Sequence, residues 1–149
     1  DALKDLIDAS EGPVIVYAPY LGTIARVHQW CEENHLTTEV VFGDTKPAVR
    51  TRIFDDFQQD KFKILIAHPQ AMAHGLTLTK SNLIVWFSPT NRAEIYEQAN
   101  GRITRPGQER LTFIVNLVSS AIERKVIDRN INKANNQSLL LNYLTNTEL

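Results

Sequence analysis

The sequence has little cysteine, no long apolar run and almost no net charge. Its single cysteine, Cys31, excludes an internal disulfide and is typical of a reducing compartment. No apolar stretch approaches the length needed to span a bilayer, and the acidic, amphipathic start DALKDLIDAS is unlike a secretory signal. The formal net charge of −1 excludes a globally basic chain, so any nucleic-acid contact must come from a local patch. We therefore expect a cytoplasmic protein without a membrane partner.

A second absence concerns nucleotide binding. Domains that hold nucleotide phosphates by themselves usually contain a glycine-rich turn ending in Gly-Lys-Ser or Gly-Lys-Thr. The sequence contains no Gly-Lys pair, and no strand-like run ends in paired acidic residues that would hold magnesium. Asp55 and Asp56 lie within a helix-like segment and are interpreted as part of its solvated face. The chain is therefore expected to contact nucleotide from one side only.

Length and composition predict one globular domain. The chain has 149 residues, of which 43% are hydrophobic and 22% charged, enough for one compact core. We expect the domain to span residues 1–149, including C-terminal helices from about residue 119. Because the chain begins with Asp rather than Met, we expect it to be a piece of a longer polypeptide.

Strand-like and helix-like segments alternate along the chain. Five apolar runs are predicted to be strands: 14–18, 37–43, 62–67, 83–88 and 111–118. A short helix is predicted before the first strand, ahead of a turn at residues 10–13. Further helical segments are predicted at 21–34, 45–59, 91–100, 121–133 and 138–144. Such alternation is typical of a mostly parallel sheet with helices on both faces, an α/β fold. In these sheets, ligands bind where loops leave the carboxyl ends of the strands.

Several polar residues are expected to begin or end these helices. Thr45 is predicted to cap the helix that contains Pro47 in its first turn. Asn91, followed by Glu94, is predicted to cap the helix that Gly101 ends. A further capping box is formed in the sequence by Ser120 and Glu123.

The segment YEQANGRITRPGQ, residues 96–108, places two arginines just beyond a helix stop. Arg102 and Arg105 are three residues apart, with Gly101 before them and Pro-Gly after them. Two surface ion pairs would explain them, and most surface arginines are only solvated or weakly paired. A guanidinium can also stabilise negative charge on a transferring phosphoryl group, especially when a second domain delivers it.

The order of motifs along the chain resembles the second RecA-like lobe of superfamily-two helicases, specifically the Swi/Snf branch. VIVYAPYLGTIARV is similar to motif four, and Gly43, Arg50 and Phe57 reproduce a family pattern with seven-residue steps. ILIAHPQAMAHGLTLT is similar to motif five as phage and bacterial relatives write it. EQANGRITRPGQ is similar to motif six. The resemblance covers residues 14 to about 127 and implies a RecA-like fold.

The resemblance also implies a function for the arginines. Members of the branch move along double-stranded DNA by ATP hydrolysis, and their first lobe holds ATP and Mg²⁺. By resemblance, Arg102 and Arg105 are catalytic finger residues that reach the γ-phosphate, and Gln98 lies close by. Gly75 is expected to line the nucleotide cleft, although an ordinary turn glycine is almost as good an interpretation. The expected partners are the first lobe of the same polypeptide and double-stranded DNA.

We expect Thr77, His68 and Arg50 to contact DNA. Thr77 could donate to a phosphate or bond within its own loop. A metal site at His68 and His74 is disfavoured, because no cysteine or carboxylate stands at a matching spacing, and polar loop contacts are expected instead. The sequence also contains three basic groups, each of which is interpreted as a solvated helix face. If some of them line one groove with Thr77, they would instead neutralise phosphates. The groups are Arg50 and Arg52; Lys61 and Lys63; and Arg124, Lys125, Arg129 and Lys133.

Two positions depart from the family pattern. Asn91 stands where the family usually has tryptophan, and Thr77 stands where it often has asparagine. Either change could weaken the coupling of hydrolysis to DNA movement. Asn91 therefore favours an alternative function, a RecA-like docking or nucleic-acid-binding module without motor activity. A third, weaker alternative is the lobe of an RNA helicase.

Overall fold

A computed structural model describes residues 2–72, 76–117 and 124–133 of the chain. The helices are α1 (Ala2–Ala9), α2 (Leu21–Glu33), α3 (Pro47–Gln58) and α4 (Ala93–Asn100). The strands are β1 (Val14–Tyr17), β2 (Thr38–Val41), β3 (Ile64–Ala67), β4 (Leu83–Trp86) and β5 (Phe113–Asn116). A short 3-10 helix, Pro69–Met72, follows β3, and residues 124–133 are also helical. The predicted strands all form, one to four residues shorter than their apolar runs.

The five strands form one parallel sheet in the order β2-β3-β1-β4-β5. The central strand β1 pairs with β3 on one side and β4 on the other, with Val14 opposite both Ile64 and Leu83. The chain first builds the sheet to one side of β1 and then continues on the other side. Right-handed crossovers in the two directions put helices on opposite faces of the sheet. The predicted α/β fold with helices on both faces is confirmed.

Each face of the sheet carries its own apolar core. Val14 and Val16 of β1 pack on the side of α1 and α2, where Cys31 is also buried. Ile15 and Tyr17 point to the other side, where Phe57 of α3 is buried. Strand β1 is thus buried on both faces, which explains its uninterrupted run of large apolar side chains.

Aromatic packing dominates the second core at the carboxyl end of the sheet. The ring of Trp86 lies 4.8 Å from that of Tyr17 and 5.0 Å from that of Tyr96, measured between centroids. Its indole nitrogen donates a hydrogen bond of 2.8 Å to the side-chain oxygen of Asn100. Trp86 is therefore a core residue, and its indole N–H holds the last turn of α4.

Two predicted helix caps are wrong. Helix α3 is preceded by Lys46, and the Thr45 hydroxyl instead accepts a hydrogen bond of 3.0 Å from the backbone of Phe42. Helix α4 is preceded by Arg92 rather than Asn91. In both cases the polar side chain lies too early, because the turn before the helix uses its own hydrogen bonds. Pro47 does stand in the first turn of α3, as predicted.

Some predictions lie outside the described residues: the capping box of Ser120 and Glu123, the helix at 138–144, and the placements of His74 and Gly75. Within the described part of the chain, no helix is both long and apolar enough to cross a membrane.

Candidate arginine and nucleic-acid site

The arginine segment is a pinned turn beyond the end of α4. Gly101 ends the helix with ordinary right-handed backbone angles. The backbone of Gln108 donates to the carbonyl of Arg105 at 3.1 Å, and Gly107 has a φ of +100°. A turn with proline second and a left-handed residue third is a type II turn, which requires glycine there. The order Arg-Pro-Gly-Gln is therefore explained by turn geometry.

Two contacts hold this turn against residues 78–81. The backbone N–H of Leu78 donates to the carbonyl of Arg102 at 2.9 Å. The side-chain amide of Gln108 donates to the carbonyls of Ser81 and Ile103 at 2.8 and 2.9 Å. Residues 78–81 and the arginine turn are therefore joined by hydrogen bonds from both the backbone and a side chain.

Arg102 is a buried cation whose guanidinium lacks partners. Only 3% of the residue is exposed, and its Nε and Nη1 atoms are buried without a hydrogen-bond partner. Within residues 2–72, 76–117 and 124–133, no carboxylate lies in salt-bridge range of it. Leaving a buried charge without a partner costs several kcal/mol, about as much as removing one partner of a buried ion pair. These donors fit an oxyanion such as a phosphate.

Arg105 is exposed, and it acts on Arg102 through space. Burial lowers the pKa of the Arg102 guanidinium, and the charge of Arg105 lowers it further. The two positive charges thus lie close enough to repel each other. The fold thus places both arginines near each other, with Arg102 buried and Arg105 exposed.

Tyr17 supports the arginine segment from the central strand. Its hydroxyl donates a hydrogen bond of 2.9 Å to the carbonyl of Ala99, in the last turn of α4. Burial raises the pKa of this phenol well above its ordinary value, while the charge of Arg102 acts in the opposite direction. The sequence analysis missed this role. The available signal was a tyrosine at the end of an otherwise aliphatic strand.

Gln98 lies on α4 one turn before Arg102, and it is exposed. Arg102 lies beyond the end of α4 and is buried, so helix periodicity does not relate the two side chains. The nearness of Gln98 to the arginines stays a prediction.

Arg50 and His68 share a cavity at the carboxyl ends of β2 and β3. The cavity has a volume of about 310 Å³, and its lining includes Leu21, Gly43 and Gln70. The ring nitrogen Nδ1 of His68 accepts a hydrogen bond of 3.2 Å from the backbone of Gln70. Two of the three predicted DNA-binding residues are thus brought together.

The Arg50 guanidinium also clasps the turn between β2 and α3. Its Nε donates to the carbonyl of Thr45 at 2.9 Å, and its Nη2 donates to those of Phe42 and Gly43 at 3.0 and 2.7 Å. Phe57, one further step of seven, is fully buried. The Gly43, Arg50 and Phe57 pattern therefore has a structural explanation. Gly43 provides a carbonyl, Arg50 binds it, and Phe57 fixes the same helix to the core.

Thr77 is exposed and does not line that cavity. It directly precedes Leu78, which bonds the backbone of Arg102. Thr77 is therefore connected to the arginine turn rather than to Arg50 and His68. Among the described residues, no group of three or more histidine, cysteine or acidic side chains could hold a metal ion.

The loop after β4 is covered by the helical residues 124–133. The side-chain amide of Asn130 donates to the carbonyl of Thr90 at 2.7 Å, and Arg129 donates to the carbonyl of Asn91 at 2.9 Å. Asn91 thus uses its backbone here, and its side chain is exposed.

A parallel five-stranded sheet, helices on both faces and paired arginines beyond α4 define a RecA-like lobe. The model of the helicase conserved C-terminal domain matches residues 1–107, and the chain belongs to this family.

Three similar proteins agree with this assignment. The chain is 26% identical over 102 residues to the SNF2 domain-containing protein CLASSY 1 of Arabidopsis thaliana, covering 67% of this chain and 8% of that protein. It is 33% identical over 97 residues to the putative protein p41 of Acyrthosiphon pisum secondary endosymbiont phage 1, covering 60% and 21%. The C-terminal part of the Fun30 ATPase domain superposes with a TM-score of 0.80 at 23% identity, covering 86% and 43%. The resemblance to the second RecA-like lobe of Swi/Snf-type helicases is confirmed. The matched part of the chain spans 8% of the length of CLASSY 1 and 21% of the length of p41.

Proposed function

We propose that this chain is the second motor lobe of an ATP-dependent, double-stranded DNA translocase of phage or bacterial type. The observation that carries the proposal is the buried Arg102 guanidinium, whose Nε and Nη1 have no partner, beside the exposed Arg105. Among the described residues, no carboxylate pairs with this buried cation, which is explained if an anion binds it during function. The phage relative supports the proposed type.

In this proposal, Arg102 and Arg105 complete a nucleotide site that is held mainly by a first lobe. Bound MgATP supplies the γ-phosphoryl group whose transfer to water drives the motor. Arg102 binds phosphate oxygens once its guanidinium has turned out of its buried position, and Arg105 approaches from the surface. Both stabilise the negative charge that develops during transfer. Gln98 and Gly75 are proposed to belong to the same site.

The DNA contacts lie along the carboxyl edge of the sheet. His68 and the remaining donor capacity of Arg50 face the backbone of the duplex from one cavity. Thr77 contacts it beside the arginine turn. Because Leu78 bonds Arg102, movement of the arginines on closure is passed directly to Thr77. Alternating closure and release of the two lobes then moves the lobe along DNA.

The decisive experiment uses the polypeptide that joins this lobe to a first lobe. Arg102→Ala and Arg105→Ala are each expected to lower DNA-stimulated ATPase activity by about a thousandfold or more, with the fold retained. Arg52→Ala is the matched control, since Arg52 makes only exposed ion pairs with Glu39 and Asp56. Unchanged ATPase activity in both variants would sink the proposal.

The isolated 149-residue chain is expected neither to hydrolyse ATP nor to bind it tightly, since the phosphate cradle belongs to the other lobe. Turnover by the purified chain that disappears with Arg105→Ala would contradict this.

The exposed Asn91 side chain favours a second candidate, a RecA-like docking or nucleic-acid-binding module without motor activity. For such a module, the arginine variants would leave partner binding almost unchanged. A third candidate is the lobe of an RNA helicase. Comparing how strongly duplex DNA, single-stranded DNA and RNA stimulate ATPase activity tests it.

A further inference from the structure

Basic side chains are concentrated on the helical residues 124–133. These ten residues contain four basic side chains and one acidic side chain, Asp128, although the whole chain has 16 basic and 17 acidic residues. Lys125, Arg129 and Lys133 follow one another at four-residue steps and are all exposed. Residues four apart share one side of a helix, so the three form a row.

The helix is held in place by its opposite side. Ile127 and Asn130 are buried, and the Asn130 amide bonds the carbonyl of Thr90. Arg129 adds a bond to the carbonyl of Asn91, which leaves the rest of its guanidinium at the surface. The row is thus presented by a docked element, and it spans about 12 Å from Lys125 to Lys133 at 1.5 Å per residue.

Within the described ranges, no carboxylate lies in salt-bridge range of these three side chains. The charge of Lys133 contributes, as the smallest of several causes, to a lowered pKa of the exposed Glu94, whose ion pair is with Arg92 at 2.8 Å. Among the described residues, the row therefore keeps an excess of positive charge. A solvated helix face normally mixes both signs of charge, whereas residues 124–133 contain one acidic side chain, Asp128, three residues after Lys125.

The row also lies on the edge of the sheet that carries the other proposed contacts. Thr90 and Asn91 belong to the loop that follows β4, and the cavity of Arg50 and His68 follows β2 and β3. Strands β2 and β4 are three positions apart in the sheet, roughly 14 Å at 4.8 Å per strand. A duplex along this edge could reach both places.

We propose that Lys125, Arg129 and Lys133 form a second phosphate-contacting surface that binds the backbone of double-stranded DNA. The partner follows from charge complementarity, because a row of three cations on a helix with a single acidic residue, Asp128, fits a regular row of phosphates. The inference rests on the proposed DNA-translocating function. It adds a surface beyond the motifs that the sequence identified.

The test measures binding of the full chain to a fluorescently labelled duplex of mixed sequence. Lys125→Ala/Lys133→Ala removes two contacts and keeps Arg129, which anchors the helix. Between about 50 and 200 mM salt, the slope of log affinity against log salt is expected to fall by about 1.8, or 0.9 per contact. Affinity at the lower salt concentration is expected to fall about tenfold. Lys125→Arg/Lys133→Arg should restore both values.

Lys61→Ala/Lys80→Ala is the matched control, because it removes the same charge from loops at the amino ends of β3 and β4. It is expected to leave the slope unchanged. Equal slopes for the unmodified chain and Lys125→Ala/Lys133→Ala would overturn this surface, while ATPase loss in the arginine variants would still support the motor function. Binding to single-stranded RNA or to phosphatidylserine vesicles, without binding to duplex DNA, would also overturn it. Thermal unfolding verifies that the variants fold.

Discussion

Arg102 owes its environment to residues that are far away in the sequence. It follows α4, but the phenol beside it comes from β1 and the N–H on its carbonyl comes from the segment after β3. A lysine in its place would keep the charge but lose the planar fork that binds two phosphate oxygens at once. At this scale, the finger function depends on shape as much as on charge.

Tyr17→Phe tests the support that the central strand gives to the arginine turn. The variant loses the hydrogen bond to the Ala99 carbonyl, which still accepts from the Gly101 N–H. We expect the free energy of unfolding to fall by about 1 kcal/mol, as measured by urea denaturation.

The matched control for this prediction is Tyr20→Phe, because Tyr20 is 57% exposed. This variant should change the free energy of unfolding by less than about 0.5 kcal/mol. Equal effects of the two variants would show that the Tyr17 hydroxyl does not hold α4.

At the scale of elements, the turn between β2 and α3 depends on one side chain. Arg50 reaches back from α3 and donates to the carbonyls of Phe42, Gly43 and Thr45. It holds the turn in place but does not cap the helix, because a guanidinium cannot accept from the N–H groups of the first turn. The resulting loop forms one wall of the cavity that contains His68. A DNA contact by Arg50 remains a prediction, and the clasp is sufficient to explain why arginine stands there.

Arg50→Ala is expected to destabilise the chain by about 2 kcal/mol, because several charge-assisted hydrogen bonds are lost at a half-buried site. Arg52→Ala, on the same helix, removes only exposed ion pairs and should cost less than about 1 kcal/mol. Chemical denaturation of both variants provides the comparison. Identical midpoints would mean that the clasp contributes nothing.

At the scale of the whole molecule, the two cores differ in polarity. Only the core of α3 and α4 has polar groups at the carboxyl edge of the sheet. The core of α3 and α4 ends in Tyr17, Trp86 and Tyr96, whose polar tips bond the arginine helix and β5. The core of α1 and α2 is aliphatic apart from Cys31, Trp30, Phe42 and Phe87. We infer that the core of α3 and α4 transmits changes at the proposed nucleotide site and that the core of α1 and α2 stabilises the sheet.

Cys31 makes the stability of the core of α1 and α2 depend on pH. Burial raises the pKa of its thiol from 9.0 to about 11. Because the folded pKa lies above the unfolded value, the protonated thiol stabilises the fold fully below pH 9.0, and this contribution is lost as pH rises towards 11. Unfolding free energy should therefore fall between pH 8 and pH 10 by more in the unmodified chain than in Cys31→Ala. Parallel pH profiles for the two proteins would contradict this prediction.

The alternation of apolar runs with helical periods determined the layout of this protein without reference to contacts. Runs such as 14–17 and 64–67 are too short and too continuously apolar for surface helices, so they had to be buried strands. The Arg-Pro-Gly-Gln turn was equally local, because it depends on the backbone preferences of adjacent residues. Order and spacing of motifs then identified the family.

Partners and burial, in contrast, were decided by the tertiary structure alone. The bond from Tyr17 to Ala99 joins residues 82 positions apart, and the burial of Arg102 depends on three separate segments. Thr45 and Asn91 have the chemistry of helix caps, yet each lies in a turn that uses other atoms. Local preference is set by a residue and its neighbours, whereas desolvation and hydrogen-bond partners are set by whatever the folded chain brings alongside.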